Sequence, residues 1–344
     1  MYKFIIRPLF FLINPESIHH FLIFIIRWGF RIPGVRLFVK KTYTIKDPRL
    51  ERKVFGISFP SPVGFAAGFD KNAEIYNDFA AFGFGFIEIG TLTPRAQSGN
   101  PRPRLFRVTA DNALINRMGF NNVGVGQAVK NLRKREPRVI IGGNIGKNTN
   151  TPNEQAVDDY AFCFNALYDY VDYFAVNVSC PNITDLTELQ DKDNLLSILS
   201  RLIGLRKTKP TRKPVLLKIS PDLNWQQIDD VLEICGSLEI DGIVATNTTI
   251  RRENLTIGID EIGTIGRGGL SGSPLTQRST EIIRYINQKT EGKLPIIGVG
   301  GIMSVEDALE KLDAGASLIQ VYTGYIYEGP GFVKRINKTL LRRS

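Results

Sequence analysis

Two patterns of apolar positions divide the chain. From about residue 54 onward, short runs rich in β-branched residues or glycine alternate with longer stretches whose apolar positions recur at helical spacing. The short runs are Val63–Ala67, Phe86–Gly90, Val139–Gly143, Tyr173–Val178, Val215–Ile219, Gly242–Ala245, Ile296–Val299 and Leu318–Val321. Amphipathic stretches lie between most of them, among them Asn153–Tyr168, Asn194–Arg206, Trp225–Ser237 and Ser304–Asp313. Eight strands buried on both faces and alternating with helices predict an α/β fold, a parallel (β/α)8 TIM barrel. An open doubly wound sheet shares this alternation, but the Gly-x-Gly-x-x-Gly turn expected after its first strand is missing. A length of 344 residues is compatible with one barrel plus an appendage.

Ahead of the barrel the pattern changes. The apolar runs Phe4–Ile6, Leu9–Ile13 and Phe21–Ile26 are interrupted by Arg7, Pro8, Asn14, Pro15 and Arg27. None reaches the ~18–20 apolar residues that span a bilayer. A signal peptide is disfavoured because Arg7 and Pro8 break the first stretch and no small-x-small cleavage site follows. Pro15-Glu16-Ser17 reads as a helix start, with proline and an acid in the first turn. Pro33-Gly34 then turns the chain into a second basic, apolar stretch, Val35–Val39.

Charge matters most here. The chain carries a formal +10, and residues 1–41 hold Lys3, Arg7, Arg27, Arg31, Arg36, Lys40 and Lys41 against the single acid Glu16. Two short helices with Trp28, many Phe and Ile, and a cationic fringe fit an element lying in a membrane interface. The alternative is an extra layer packed on the main domain. The expected organisation is an N-terminal amphipathic extension, residues 1–42, followed by a catalytic barrel domain, residues 43–344.

Composition removes several chemistries. The two histidines, His19 and His20, are adjacent in the extension, which argues against a Ser-His-Asp hydrolase or a histidine-rich zinc enzyme. Cys163, Cys180 and Cys235 are too few and too widely spaced for a disulfide framework or a Cys-x-x-Cys metal site. Barrel sites lie at the carboxyl ends of the strands. Those ends read Ala66–Lys71, Thr91, Asn144, Asn177–Asn182, Lys218, Thr246–Thr248, Gly300-Gly301 and Tyr322-Thr323. A single asparagine is most often a cap or turn residue, but eight ends rich in amides, hydroxyls, glycine and lysine converge on one mouth.

No acid or histidine cluster suggests a metal, so an organic cofactor is expected. Gly298-Val-Gly-Gly301 and Gln320-Val-Tyr-Thr-Gly324 end the last two strands, the usual phosphate position of a barrel, and a helix starting at Ser304 presents N–H groups. Gly268-Gly-Leu-Ser-Gly272 is expected as a third glycine-rich loop on that face. A phosphate handle among neutral amides and lysines suits flavin mononucleotide (FMN), with Lys218 placing positive charge near the flavin's pyrimidine edge.

Taken in order, these motifs resemble the dihydroorotate dehydrogenases. The resemblance rests on Gly64–Asn72, Asn100–Arg104, Asn116–Asn122, Asn177–Asn182, Ala245–Thr249, Gly268–Gly272 and Ile297–Gly301, and runs from about residue 43 to the C-terminus. It implies that Ala67, Gly68, Lys71, Thr91, Asn144, Asn177, Lys218, Thr246, Gly272, Gly301, Tyr322 and Thr323 hold FMN. It also implies that Lys71, Asn116, Arg117, Met118, Gly119, Phe120, Asn177, Asn182, Asn247 and Thr248 hold dihydroorotate or orotate. Amide side chains suit that ligand because they both donate and accept.

The family reaction removes a proton from C5 of dihydroorotate while hydride leaves C6 for the flavin, and Cys180 stands at the base position. This departs from class 2, the quinone-dependent branch, which usually carries serine there; soluble class 1 enzymes carry cysteine. A thiol is the more natural base, its reference pKa being ~8.5. Ser179 would point the other way if Val176–Cys180 continued a strand. The Asn14–His19 segment and the hydrophobic extension resemble class 2 and outweigh this single residue. Class 2 in turn implies His19, Arg107 and Tyr322 on a quinone tunnel, ubiquinone or menaquinone as acceptor, and peripheral association with membrane lipid, at the cytoplasmic face if the source is bacterial. No nucleic-acid partner is expected. The rival enzyme reading, a dihydrouridine synthase acting on tRNA, fits the charge but lacks a helical RNA-binding domain after the barrel. A membrane-peripheral binding protein on a barrel scaffold is the non-enzyme alternative.

Overall fold

The computed structural model describes residues 1–134, 136, 139–179, 192–253 and 255–343; Cys180 and Asn182 of the expected site lie outside the described residues. The apolar runs become eight parallel strands: Val63–Phe65, Phe86–Leu92, Ile140–Ile145, Tyr173–Asn177, Val215–Ile219, Gly242–Ala245, Ile296–Val299 and Leu318–Val321. Each pairs with its neighbours in chain order, and the last pairs with the first through Gln320 and Gly64, closing the barrel. Both strand faces are buried, as their continuous apolar character requires. The barrel interior packs Phe59, Phe86, Tyr173, Leu216, Val244, Ile297 and Leu318, while a larger cluster fills the space between strands and helices.

Two features differ from the expectations. Gly269–Gly272, expected as part of a loop, is a strand in an antiparallel sheet with Ala113–Asn116 and Leu105–Val108. Four-residue strands with so much glycine carry too little periodicity to be read, and here pairing with the 105–116 hairpin decides the conformation. The run interrupted by Arg7 and Pro8, to which the pattern assigns no helix, is helical: a π-turn over Tyr2–Ile6 runs directly into helix Arg7–Phe11, with Pro8 near the junction. The extension therefore has helical structure over Tyr2–Phe11 as well as in Pro15–Gly29 and Val35–Tyr43.

Asn14 caps the middle helix, its side chain accepting from the backbone N–H of Glu16 and Ser17. Ile18 and Ile26 are buried, while Phe4, Leu9, Leu12, Phe21, Phe24, Trp28, Leu37 and Phe38 are exposed. Among the described residues no single helix is long and apolar enough to cross a membrane; the pair Tyr2–Phe11 and Pro15–Gly29 would pass by length and composition but bends by 119°. The extension is tied down at several points. Tyr2 donates its hydroxyl to the Ile326 carbonyl at 2.6 Å, and Arg104 forks onto the Glu16 carboxylate at 2.8–3.3 Å.

Candidate active site

A cavity of about 1240 Å³, its open mouth included, lies at the carboxyl ends of the barrel strands. Its floor is polar because two residues break the apolar code of their strands. Glu88, within Phe86–Leu92, and Gln320, within Leu318–Val321, both point into the barrel and are essentially fully buried. Gln320 Nε2 donates to Glu88 Oε2 at 2.7 Å, and Asn144 Nδ2 donates to Glu88 Oε1 at 2.8 Å. Tyr173 adds its hydroxyl to Glu88 at 3.2 Å, and the Lys218 ammonium stands 3.9 Å from the carboxylate. Four neighbours thus compensate a carboxylate whose burial alone would be prohibitive.

Above this floor the amides form a chain. Thr91 Oγ1 donates to Asn144 Oδ1 at 2.6 Å, and Asn177 Nδ2 donates to Thr91 Oγ1 at 3.0 Å. Asn247 Nδ2 bridges Asn177 Oδ1 at 3.2 Å and Ser179 Oγ at 3.0 Å. The Ser179 hydroxyl in turn donates to the Lys218 carbonyl at 2.9 Å. Such a network fixes each amide's orientation before any ligand arrives. The strand stops at Asn177, so alternation along it does not set the direction of Ser179.

Of the expected flavin set, Ala67, Gly68, Lys71, Thr91, Asn177, Lys218, Thr246, Gly272, Gly301, Tyr322 and Thr323 all line the cavity. Asn144 lies one layer below, bonded to Thr91 and Glu88. Of the substrate set, Asn116, Met118, Gly119, Phe120, Asn247 and Thr248 line it with Lys71. Arg117 does not: its guanidinium covers the Phe106 ring at 4.7 Å and donates to the Ile265 and Arg267 carbonyls. His19 and Tyr322 also line the cavity, so the N-terminal extension contributes directly to its wall. Arg107 is absent from that lining. It donates instead to the carbonyls of Phe10, Phe11 and Ile13, where it caps helix Arg7–Phe11.

Electrostatics differ sharply across the mouth. Burial, the nearby Lys71 charge and His20 push the His19 imidazole down to about 3, Glu16 opposing them. The His19 ring meets the Phe69 ring edge-on at 4.7 Å, giving this wall an apolar, neutral character. Burial and the Arg104 guanidinium lower the Lys71 ammonium to about 7, Glu16 again opposing, and Lys71 Nζ donates to Asn121 Oδ1 at 2.9 Å.

Gln320, Ser271, Asn121, Ile302 and Met303 line the cavity without having been assigned from sequence. Gln320 and Glu88 were legible in principle, since a lone polar residue inside an apolar barrel strand must find a buried partner. Ser271 was hidden by the misread strand; its hydroxyl lies 2.8 Å from Thr323 Oγ1.

The donor set fits a flavin-like ring with a phosphate tail. Gln320 Oε1 is buried and lacks a partner among the described residues, so the floor wants an N–H donor such as a ring imide. At the other end, glycine lets the wall strand pack tightly on the hairpin behind it. Gly272 has φ +104, and a Cβ there would lie 2.3 Å from the Asn112 carbonyl oxygen.

Comparison with known proteins places the chain in a family. The family model described as dihydroorotate dehydrogenase matches residues 49–343. A dihydroorotate dehydrogenase (quinone) of Christiangramia forsetii is 53% identical over 343 residues, covering 100% of this chain and 99% of that protein. One from Gloeobacter violaceus is 50% identical, covering 98% and 93%. A crystal structure of the Eimeria tenella enzyme in complex with ferulenol superposes with a TM-score of 0.86 at 35% identity, over 96% of this chain and 91% of that one. The chain belongs to the dihydroorotate dehydrogenase family, and within it to class 2, the branch whose members are named for quinone.

Proposed function

We propose that this chain oxidises (S)-dihydroorotate to orotate and delivers the electrons to a membrane quinone, with FMN as its resident cofactor. The observation that carries this reading is that His19, from the extension, lines the same cavity as Lys71, Asn177, Lys218 and Gly301. One chamber is thus reached both by the polar groups of the barrel mouth and by the apolar helices. FMN, when bound there, supplies the hydride acceptor at the ring and the relay to quinone. Gln320, Thr91, Asn177 and Lys218 would hold its ring, and the Gly300-Gly301 turn with Thr323 its phosphate.

The chain's own part is to orient the substrate and to manage a proton. Lys71 neutralises the substrate carboxylate, and Asn116, Asn177 and Asn247 meet the ring's alternating donors and acceptors. Cys180 takes the C5 proton. Ser179 is the poorer base because its hydroxyl already donates to the Lys218 carbonyl and accepts from Asn247. The exposed apolar face of residues 1–42, with its cationic fringe, rests peripherally on the lipid surface from which ubiquinone or menaquinone enters. Residues 43–344 form the catalytic domain.

The test is anaerobic mixing of detergent-extracted protein with dihydroorotate while flavin absorbance is followed, and then addition of ubiquinone or menaquinone. Bleaching followed by quinone-driven recovery is expected. Recovery with fumarate or NAD alone would overturn the quinone assignment, and no bleaching would overturn the substrate.

A further inference from the structure

Both carbonyls of the Gly300-Gly301 turn point away from the cavity, into the start of helix Thr276–Lys289. Ser279 Oγ donates to the Gly300 carbonyl at 2.7 Å, and Thr276 Oγ1 donates to the Gly301 carbonyl at 2.6 Å. These peptides are trans, so the N–H groups of Gly301 and Ile302 face the opposite way, toward the cavity both residues line. The contact is close: at Gly301, φ +68, a Cβ would lie 2.3 Å from the backbone of Thr276. The next two N–H groups, of Met303 and Ser304, are already taken by the Asp307 carboxylate at 2.9 and 2.8 Å. The Gly301 and Ile302 pair is therefore what the turn offers to an anion.

A cation lies directly behind this turn. Lys311, fully buried on helix Val305–Asp313, donates to the Thr276 carbonyl at 2.7 Å and to the Thr280 hydroxyl. That same carbonyl accepts from Ser279 Oγ at 3.1 Å, so Lys311, Thr276 and Ser279 form one unit. Burial pulls the ammonium down to about 8; Asp307 and Glu310 on its own helix favour the charged form, and Arg284 on the neighbouring helix opposes it. Among the described residues Lys311 makes no ion pair, its ammonium resting on a carbonyl and a hydroxyl alone. An ammonium this deeply buried, hydrogen-bonded only to neutral groups, is costly, and Asp307 and Glu310 offset only part of that cost, so a further anion at the turn would stabilise it.

We propose that Lys311 is a positioning residue for the cofactor's phosphate. It fixes Thr276 so that the two hydroxyls turn the Gly301 and Ile302 N–H groups to the ligand, and it lends that end of the cavity a buried positive charge. This rests on reading the cavity as an FMN site.

The experiment compares two ligands that differ only in the phosphate, FMN and riboflavin, titrated into flavin-stripped, detergent-solubilised full-length protein by fluorescence quenching. In the unsubstituted protein FMN binds far more tightly than riboflavin. Lys311→Met lowers that preference by at least about tenfold, the size of one charge-assisted contact, with riboflavin affinity unchanged. Lys311→Arg restores part of it. If Lys311→Met does not fold, Thr276→Val carries the test: it keeps the carbonyl that Lys311 binds, loses the hydroxyl on Gly301, and reduces the preference several-fold, whereas Thr276→Ser preserves it. An unchanged preference in both Lys311→Met and Thr276→Val overturns the role of Lys311. Equal binding of FMN and riboflavin by the unsubstituted protein overturns the phosphate reading of the turn itself.

Discussion

Glu16 and Arg104 meet in a buried fork, Arg104 Nη2 lying 2.8 Å and Nε 3.1 Å from Glu16 Oε1, and join the N-terminal extension to the approach of the barrel mouth. The pair has a reason to be there. Glu16 is the single acid in the first 41 residues, and Arg104 immediately precedes Leu105, the first residue of the strand pair that roofs the cavity with Ser271. Arg102 adds a third contact at 3.1 Å. The helix carrying His19 is therefore held in register with the cavity by charge as well as by the burial of Ile18 and Ile26.

Removing the acid should release that helix. Glu16→Gln leaves the Arg104 guanidinium buried without its counter-charge, a loss of about 3 kcal/mol. Hydrogen exchange across Pro15–Gly29 is expected to quicken while the barrel strands stay protected; unchanged exchange would mean that apolar contacts alone hold the helix. The pH dependence has a definite sign. Burial raises the Glu16 carboxyl, but Arg104 and Arg102 outweigh it and bring it from 4.5 to about 2. A folded pKa below the unfolded one gives stability that is complete above about 4.5 and is lost as pH falls toward 2.

Lys71 should make orotate binding depend on pH in the opposite sense. With its ammonium lowered to about 7, it is half neutral near that pH before ligand binds. A carboxylate ligand selects the cation, so orotate affinity should be highest below pH 7 and should fall, by up to about tenfold per pH unit, above it. Spectral titration of the flavin with orotate between pH 6 and 9 measures this. Lys71→Met should bind weakly and without that slope; a slope that survives the substitution would assign the titration to another group.

The parts of this architecture that sequence made legible, and the parts it did not, differ by the range of their causes. Val215–Ile219, Gly242–Ala245, Ile296–Val299 and Leu318–Val321 match the strands read from apolar runs, because burial on both faces is written into each segment locally. Most of the cavity lining was legible too, since barrel topology places strand ends together whatever lies between them. Gly269–Gly272 was not, because its strand state comes from pairing with Ala113–Asn116, some 150 residues away in the chain. Nor was the position of Arg107. Its side chain answers the unpaired carbonyls at the end of helix Arg7–Phe11, a helix that the interrupted apolar run did not announce.

Gln320 offers a direct check of the cavity floor. Gln320→Leu keeps the volume but removes both the donor to Glu88 and a buried acceptor that has no partner among the described residues. Loss of a buried charged hydrogen bond should destabilise the fold by about 2 kcal/mol, read as a lower denaturant midpoint. Loss of the acceptor should also weaken flavin binding by about tenfold, read by fluorescence titration. If stability falls while flavin affinity is untouched, Gln320 supports Glu88 and does not meet the ring.

The base assignment is the sharpest question left by the site's chemistry, and kinetics can decide it. Cys180→Ala should keep its flavin, since no flavin contact is assigned to the thiol, but lose about 10²–10⁴-fold in the rate of flavin reduction by dihydroorotate near neutral pH. Cys180→Ser should recover part of that rate only at higher pH, because a hydroxyl releases its proton far less readily than a thiol of reference pKa ~8.5. Anaerobic stopped-flow bleaching across pH 6–10 separates the cases. A Cys180→Ala protein that bleaches at nearly the unsubstituted rate would place the base elsewhere. Ser179 would then be the next group to test, and it would have to give up its bond to the Lys218 carbonyl to act, which predicts that disturbing that bond changes the rate.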